Sequence, residues 1–171
     1  MTYPTLYPSF FTATCKDWLP FLKENDCKEI IIKSLKYLVE NNRVRVFGFV
    51  LMSNHMHIIW QMMGDHKPAD VQRDFMKFTA QHIKYYLKEK NPALLNQCLV
   101  NAKDPKYQIW KRNPLSIDIY TEEVMLQKLN YIHLNPVRAG LVENQESYYF
   151  SSAAFYLLQD EGFGILSHYR G

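Results

Sequence analysis

Residues 43–63 read RVRVFGFVLMSNHMHIIWQMM, and this stretch has a strong strand pattern. Its first ten residues alternate between polar and apolar and then become apolar on both sides, which is typical of a strand inside a sheet. Ser53 and Asn54 predict a short turn, and a second strand is predicted over residues 55–63. The stretch therefore predicts an antiparallel hairpin.

The rest of the chain predicts elements that can pack around this hairpin. A first strand is predicted over 9–15, helices over 27–40, 69–90 and 122–135, an irregular segment over 91–106 and a short strand over 107–112. Thr121 is expected to cap the last helix, and Pro136 is expected to stop it. The aromatic tail from Tyr148 is expected to pack back on the domain. Because no parallel-sheet pattern is present, an α+β fold with an antiparallel sheet is predicted.

Length and composition predict a single globular domain over residues 1–171. Apolar residues make up 47% of the chain and charged residues 22%, which excludes a mainly disordered protein. No run of 18 apolar residues and no secretory-signal pattern occur, so neither a membrane span nor secretion is expected. Three cysteines, an odd number, indicate free thiols in a reducing, cytoplasmic compartment. The net charge of +3 permits an anionic partner without requiring one.

His55 and His57 share one face of the second predicted strand, because side chains alternate along a strand. Two imidazoles whose backbones are about 6.6 Å apart can bind one divalent ion, although a tight site needs a third ligand. The neighbouring Met56 and Ile58 are expected to point into the core. On its own the pattern also fits two partly exposed histidines without a ligand, and no nearby Cys or Asp completes a structural zinc site.

The predicted helix over residues 122–135 carries an apolar stripe and, about 100° away, a polar face. The stripe consists of Met125, Leu129, Ile132 and Pro136, and the polar face consists of Gln127, Tyr131 and Asn135. A tyrosine between two amides on this polar face is expected to be accessible to a substrate. Its phenol is a competent nucleophile when a base or a metal-polarised electrophile assists it. The alternative is a structural tyrosine at the edge of the core, whose ring packs on apolar neighbours and whose hydroxyl contacts water.

The stretches VFGFVLMSNHMHIIWQ and LNYIHLNPVRAGLV, in this order, resemble the single-tyrosine HUH transposases. The resemblance is closest to the REP-associated tyrosine transposase branch, which is similar to the small single-strand insertion-sequence transposases. The two histidines and the bulky residue of that motif are His55, Met56 and His57. Tyr131 matches the family's nucleophile, and Asn135 matches a position that can supply a third metal ligand. With the ending SYYFSSAAFY, the resemblance spans about residues 9–156.

The resemblance implies a ferredoxin-like antiparallel sheet that carries the histidines, backed by helices, with the nucleophilic tyrosine on an additional helix. It also implies an enzyme that cleaves and rejoins single-stranded DNA near hairpins. A divalent ion, Mg or Mn, on His55, His57 and Asn135 would polarise the scissile phosphate. Tyr131 would attack it, forming a 5′-phosphotyrosine and releasing a 3′-hydroxyl. Such transesterification needs no ATP, and the sequence has no GxxxxGK[ST] phosphate loop.

Basic residues on the predicted helix 69–90 and around the tyrosine helix are candidates for contacts with DNA phosphates. They are Arg73, Lys77 and Lys84, together with Lys111, Arg112 and Arg138. The expected partner is single-stranded or hairpin DNA rather than a membrane. Either one chain acts alone, or a homodimer exchanges its tyrosine helices, as insertion-sequence relatives do.

Two other functions fit parts of the pattern. A non-enzymatic DNA-hairpin-binding protein could keep the fold, but it would need neither the histidines nor the tyrosine. A metal-dependent phosphodiesterase could use water in place of Tyr131, but no carboxylate beside the histidines is apparent to activate that water. The sequence therefore favours the transposase.

Overall fold

The computed structural model describes residues 7–101, 103–104 and 106–171; the predicted domain over 1–171 also includes residues 1–6, 102 and 105, which lie outside the described residues. The helices and strands are, in chain order, β1 (Ser9–Thr14), α1 (Asn25–Glu40), β2 (Val44–Leu51), β3 (His55–Met62), α2 (Pro68–Lys90), α3 (Pro92–Asn96), β4 (Leu99–Asn101), β5 (Lys106–Tyr107), β6 (Leu115–Asp118), α4 (Glu122–Arg138) and α5 (Ala153–Leu158). Among the described helices, none has the length and apolar character needed to cross a membrane.

Four strands form one antiparallel sheet in the order β2-β3-β1-β6. The predicted hairpin is confirmed, since β2 pairs with β3 and the amide of Met52 donates to the carbonyl of His55 at 2.9 Å across the turn. On its other side β3 pairs with β1, in a register that places Thr14 opposite His55 and Thr12 opposite His57. Both histidines therefore lie on a central strand that is held from two sides.

The sheet separates two apolar cores, which gives the predicted α+β architecture. α1 and α2 cover one face, where Met56, Ile58 and Trp60 are buried. α4 covers the other face and packs on Phe10 and Ile59, which lie on the same side as the histidines. The predicted alternation along β3 is confirmed, so the histidine face belongs to the layer that carries Tyr131.

α4 comes unusually close to the sheet at Gly48. A bulge interrupts the pairing of β2 between Val46 and Gly48. A Cβ atom at Gly48 would lie 2.7 Å from Cδ2 of Leu129 and 3.2 Å from Cδ1 of Ile132. Because glycine has no side chain there, the buried stripe of α4 rests directly on the strand.

The chain after α4 returns to the sheet, as predicted. Ser151 forms a bridge with Val50. The hydroxyl of Tyr148 donates to the carbonyl of Leu51 at 2.6 Å, and the hydroxyl of Tyr156 donates to the carbonyl of Phe47 at 2.6 Å. These bonds use the polar ends of two aromatic side chains to hold the tail along β2.

The prediction that Pro136 stops the tyrosine helix is wrong, because α4 continues to Arg138. A proline inside a helix removes one backbone hydrogen bond and disfavours a helical residue before it. Pro136 is buried in the apolar stripe, and only the last two residues follow it. Tertiary packing therefore outweighs the local preference.

The region between α2 and α4 also differs from the prediction. The segment 91–106, predicted irregular, contains α3 and β4, and the Asn91 side chain caps α3 by accepting from the amide of Leu94 at 3.2 Å. Of the strand predicted over 107–112, only Tyr107 lies in a strand, at the end of the two-residue β5, whose other residue belongs to the segment predicted irregular. β6 was not predicted; it is a short edge strand with all four residues exposed, so it carries no burial pattern.

Candidate active site

Two pairs of side chains meet in register between α4 and β3. Nδ2 of Asn135 lies 3.2 Å from Nε2 of His55, and the ring centroids of Tyr131 and His57 lie 5.4 Å apart. Four helical residues advance about 6.0 Å, and two strand residues advance about 6.6 Å. The i, i+4 spacing on the helix therefore matches the i, i+2 spacing on the antiparallel strand, and one packing arrangement forms both pairs.

The His55 ring is oriented by an amide on each side. Its Nδ1 lies 2.8 Å from Oδ1 of Asn54. Because a carboxamide oxygen can only accept, Nδ1 carries the proton, and Nε2 accepts from Nδ2 of Asn135. This tautomer leaves the Nε2 lone pair on the side of α4.

The His57 ring is held by its cross-strand neighbours on β1. Its Nδ1 lies 2.8 Å from Oγ1 of Thr12, and the Phe10 ring stacks on the imidazole with centroids 5.1 Å apart and an interplanar angle of 16°. When Nδ1–H donates to Oγ1 of Thr12, Nε2 keeps its lone pair; because a hydroxyl can also donate, this contact orients the ring without selecting the tautomer. Phe10 and Thr12 could not be identified from sequence, because the register of β1 against β3 is a tertiary property.

Both imidazoles are neutral at neutral pH. Burial, with smaller contributions in the same direction from His55 and Lys128, lowers the pKa of His57 to about 3. Burial also lowers the pKa of His55. A neutral imidazole is the form that binds a metal ion, so neither ring has to lose a proton first.

These residues fit a divalent metal ion. Each histidine has its Nδ1 committed to an oxygen, which is the arrangement that usually orients a metal-binding histidine. Asn135 presents its nitrogen to His55, so it would have to turn its amide over to offer the oxygen that was predicted as a third ligand. Within the described ranges no other His, Cys, Asp or Glu joins the pair into a group of three. An ion here would complete its coordination with water or phosphate oxygens.

Tyr131 is accessible at the edge of this cluster, with 46% of its surface exposed. Its ring meets the Phe10 ring edge to face at 6.1 Å, and the guanidinium carbon of Arg138 lies 5.6 Å from its centroid. Arg138, a predicted phosphate-binding residue, therefore lies at the tyrosine. Gln127, which was predicted to lie on the same face of the helix, is exposed one turn before Tyr131.

Lys128 is a further cation at the site, and it is not among the residues predicted from the sequence. Its Nζ lies 4.9 Å from the centroid of Phe10, which is the ring that stacks on His57. The spacing of three residues before Tyr131 was the available signal, since i and i+3 are neighbours on a helix. Lys128 and Arg138 thus place positive charge on both sides of the phenol along α4.

The basic residues predicted on α2 are not brought to this site. Arg73, Lys77 and Lys84 belong to a helix that packs on the opposite face of the sheet. Arg73 also pairs with Asp70 at 3.0 Å and with Asp74 at 3.2 Å. Helical spacing alone could not show which face of the sheet α2 covers.

Lys111 and Arg112 lie closer to the histidines. Both are exposed, and the amide of Lys111 donates to the carbonyl of Thr14 at 2.7 Å. Thr14 is the residue of β1 that stands opposite His55. Their backbone therefore runs along the His55 end of the sheet, while their side chains remain exposed.

His133 anchors α4 from within the core. Its Nε2 lies 2.7 Å from Oγ of Ser152, and that hydroxyl accepts from the amide of Phe49 on β2 at 3.0 Å. Burial lowers the pKa of His133 to about 4. It points away from the phenol side of the helix, as the i, i+2 spacing predicts, so it positions α4 rather than contacting Tyr131.

No protein-family model and no curated protein matches this chain. Several chains of solved structures are similar to it, and two of them are as follows. The REP-associated tyrosine transposase bound to a REP hairpin superposes with a TM-score of 0.66 at 18% identity, over 98% of this chain and 86% of that chain. A protein from Deinococcus radiodurans that is assigned as a transposase gives a TM-score of 0.49 at 14% identity, over 73% of this chain and 87% of that chain. The resemblance inferred from the sequence is therefore confirmed for the fold, and this chain has the fold of the REP-associated tyrosine transposase.

Proposed function

We propose that this chain is a single-tyrosine HUH transposase that cleaves and rejoins single-stranded DNA near hairpins. The observation that carries the proposal is the meeting of an exposed Tyr131 with the oriented, neutral pair His55 and His57. The solved structure with the same fold is bound to a REP hairpin, which supports a DNA hairpin as the substrate class here.

In the proposed step, the phenol oxygen of Tyr131 attacks the scissile phosphorus and the bond from phosphorus to the 3′ oxygen breaks. The products are a 5′-phosphotyrosine and a strand with a free 3′-hydroxyl. The phenol proton leaves to solvent, which reaches the half-exposed side chain, and the departing 3′ oxygen takes up a proton. The reverse attack by a 3′-hydroxyl rejoins the DNA, and the bond energy is conserved without ATP.

His55 and His57, with Asn135, would hold a divalent ion, Mg or Mn, whose Lewis acidity polarises the phosphate. Asn54 keeps His55 in the tautomer that ligation requires, and Thr12 would accept from Nδ1–H of His57 in the tautomer that binds the ion. Lys128 and Arg138 flank the phenol and would neutralise phosphate oxygens on either side of the attacked group. Each of these residues binds or orients, and Tyr131 is the one that forms the covalent bond.

The geometry supports this function better than the two alternatives. A protein that only binds hairpins has no use for a buried imidazole paired to an accessible phenol. A phosphodiesterase that activates water needs a base. Among the described residues, no Asp or Glu lies close enough to form a cluster with the two histidines.

The test is cleavage of an end-labelled hairpin pool with randomised single-stranded flanks, resolved on a denaturing gel. With Mg²⁺ or Mn²⁺ the chain should release a shorter labelled strand and retain DNA covalently, and chelator should prevent both. Tyr131→Phe should bind the pool and leave it intact, whereas the control Tyr120→Phe should cleave normally. Binding without cleavage under every metal tested would support the hairpin-binding alternative instead.

A further inference from the structure

The turn that follows β1 holds an exposed tryptophan beside the histidine pair. Trp18 ends a 3₁₀ turn at Lys16–Trp18 and leaves 60% of its surface open to solvent. Its ring centroid lies 6.0 Å from that of His55, at an interplanar angle of 69°. The indole therefore lines the His55 end of the site, which is the end nearer to the C-terminus of α4.

The backbone at this position is strained. Asp17 has φ +53° and Trp18 has φ +56°, so two consecutive residues with side chains occupy the left-handed region. This region is uncommon for residues other than glycine and is an outlier for a bulky side chain. Such a conformation persists only where the surroundings determine it, and it is concentrated at sites that bind ligands.

The surroundings do hold this turn. The amide of Cys15 donates to the carbonyl of Asn54 at 2.8 Å, and the amide of Lys16 donates to the carbonyl of Ile109 at 2.8 Å. The amide of Trp18 closes the turn on the carbonyl of Cys15 at 3.1 Å. Asn54 is also the residue that orients His55, so the position of the indole and that of the metal-binding ring share one support.

Core packing does not account for the exposed indole. The other two tryptophans, Trp60 and Trp110, are buried, which is how this fold uses the residue for stability. Trp18 instead combines strain with solvent exposure next to a candidate catalytic ring. The exposed cations Lys111 and Arg112 follow Ile109, whose carbonyl is bonded to the same turn.

We infer that Trp18 is a stacking subsite for an unpaired DNA base next to the phosphate held at His55. An indole face accepts any base, and stacking of this kind is tolerant of sequence. The cations beside the turn would hold the phosphates that flank the stacked base. This inference rests on the proposed function, since it requires single-stranded DNA to lie across the site.

The test compares binding of two fluorescent strands in chelator, so that no cleavage occurs. One is oligothymidine of ~12 nucleotides, and the other is an abasic strand of the same length, which keeps the phosphates and removes the bases. Trp18→Leu should weaken binding of oligothymidine by about 5- to 100-fold and leave binding of the abasic strand unchanged. Trp18→Phe keeps an aromatic face and should restore most of the affinity. All of these variants keep a Cβ at the same positive φ, so they are matched in backbone strain.

A matched control and a second signal sharpen the result. Tyr37 is 59% exposed on α1, in the layer across the sheet, so Tyr37→Leu should bind both strands like the parent. Because Trp60 and Trp110 are buried, quenching of the intrinsic fluorescence reports chiefly on Trp18. Oligothymidine should quench it, and the abasic strand should not.

The outcomes separate the inference from the function on which it rests. If Trp18→Leu binds oligothymidine as tightly as the parent, the inference is wrong and the proposed function stands. Equal loss of affinity for both strands would show that Trp18 only supports the site, which also overturns the inference. If the parent chain binds neither strand, the proposed function fails, and the inference fails with it.

Discussion

The ring of Tyr131 lies 5.4 Å from the imidazole of His57, across the contact between α4 and the central strand of the sheet. Asn135 meets His55 one helical turn further along. Because both pairs depend on one register of α4 against β3, a displacement of the helix would separate the phenol from both rings. Substitutions that move α4 therefore test the proposed site as well as substitutions of Tyr131 or the histidines do.

The first prediction concerns the contact between α4 and Gly48 of β2. Gly48→Ala should destabilise the protein by about 1–3 kcal/mol, because its Cβ would lie 2.7 Å from Cδ2 of Leu129. Unfolding in urea measures this change. The double variant with Leu129→Ala should show a coupling of roughly 0.5–3 kcal/mol, since truncating Leu129 removes the clash. Strict additivity of the two changes would contradict this close contact.

The second prediction concerns the orientation of the histidines. Thr12→Val and Asn54→Ala should each lower the affinity for Mn²⁺ by about 10- to 100-fold, because each removes the oxygen bonded to one Nδ1. Calorimetric titration with Mn²⁺ measures the affinity directly, without reference to cleavage. Thr14→Val, on the same strand, is the matched control and should bind Mn²⁺ like the parent. Parental affinity in both Thr12→Val and Asn54→Ala would show that these bonds do not prepare the rings.

The third prediction concerns the histidines themselves. His55→Ala or His57→Ala should abolish cleavage of a hairpin substrate while leaving DNA binding largely intact, because the rings would hold the ion and not the DNA. Asn135→Ala should reduce cleavage less, since an amide oxygen is a weaker and more replaceable ligand. Cleavage assays and gel-shift binding of the same variants give the two readouts. Cleavage that survives chelator in the parent chain would contradict the metal-assisted mechanism.

The fourth prediction concerns acid stability. Burial lowers the pKa of His133 to about 4 and that of His57 to about 3, whereas an unfolded histidine has a pKa of about 6.5. Below about pH 6.5 the unfolded chain takes up protons that the folded chain does not, so stability should fall as the pH is lowered toward 4. The share of His133 is on the order of 3 kcal/mol. It is fully present above about pH 6.5.

Urea unfolding at a series of pH values measures this slope. His133→Gln should flatten the slope between pH 6.5 and 4 and retain the part that comes from His55 and His57. An unchanged slope in this variant would show that folding does not lower the pKa of His133, contrary to the effect expected from its burial.

Local patterns were sufficient to predict the elements that make the site. The alternation along β3 separated the histidines from Met56 and Ile58, and the helical spacing of Tyr131 and Asn135 placed them on one face of α4. Both patterns arise from burial on one side of a regular element, which is why sequence alone reveals them.

Tertiary relationships could not be predicted in the same way. Phe10 and Thr12 contact His57 because of the β1 register, and nothing in their local sequence specifies that register. The basic residues of α2 have the right spacing for a common surface, but the fold places them across the sheet. β6 is exposed throughout, so it lacks the burial pattern from which strands are recognised.

If Tyr131 is the nucleophile, it becomes covalently attached to DNA, and the attachment site can be mapped. The chain is incubated with a hairpin substrate and Mn²⁺, digested with protease and nuclease, and analysed by tandem mass spectrometry. A nucleotide is expected on the peptide that contains Tyr131; it should be lost in Tyr131→Phe and retained in Tyr120→Phe. An adduct on another tyrosine, or one that persists in Tyr131→Phe, would show that Tyr131 is not the nucleophile.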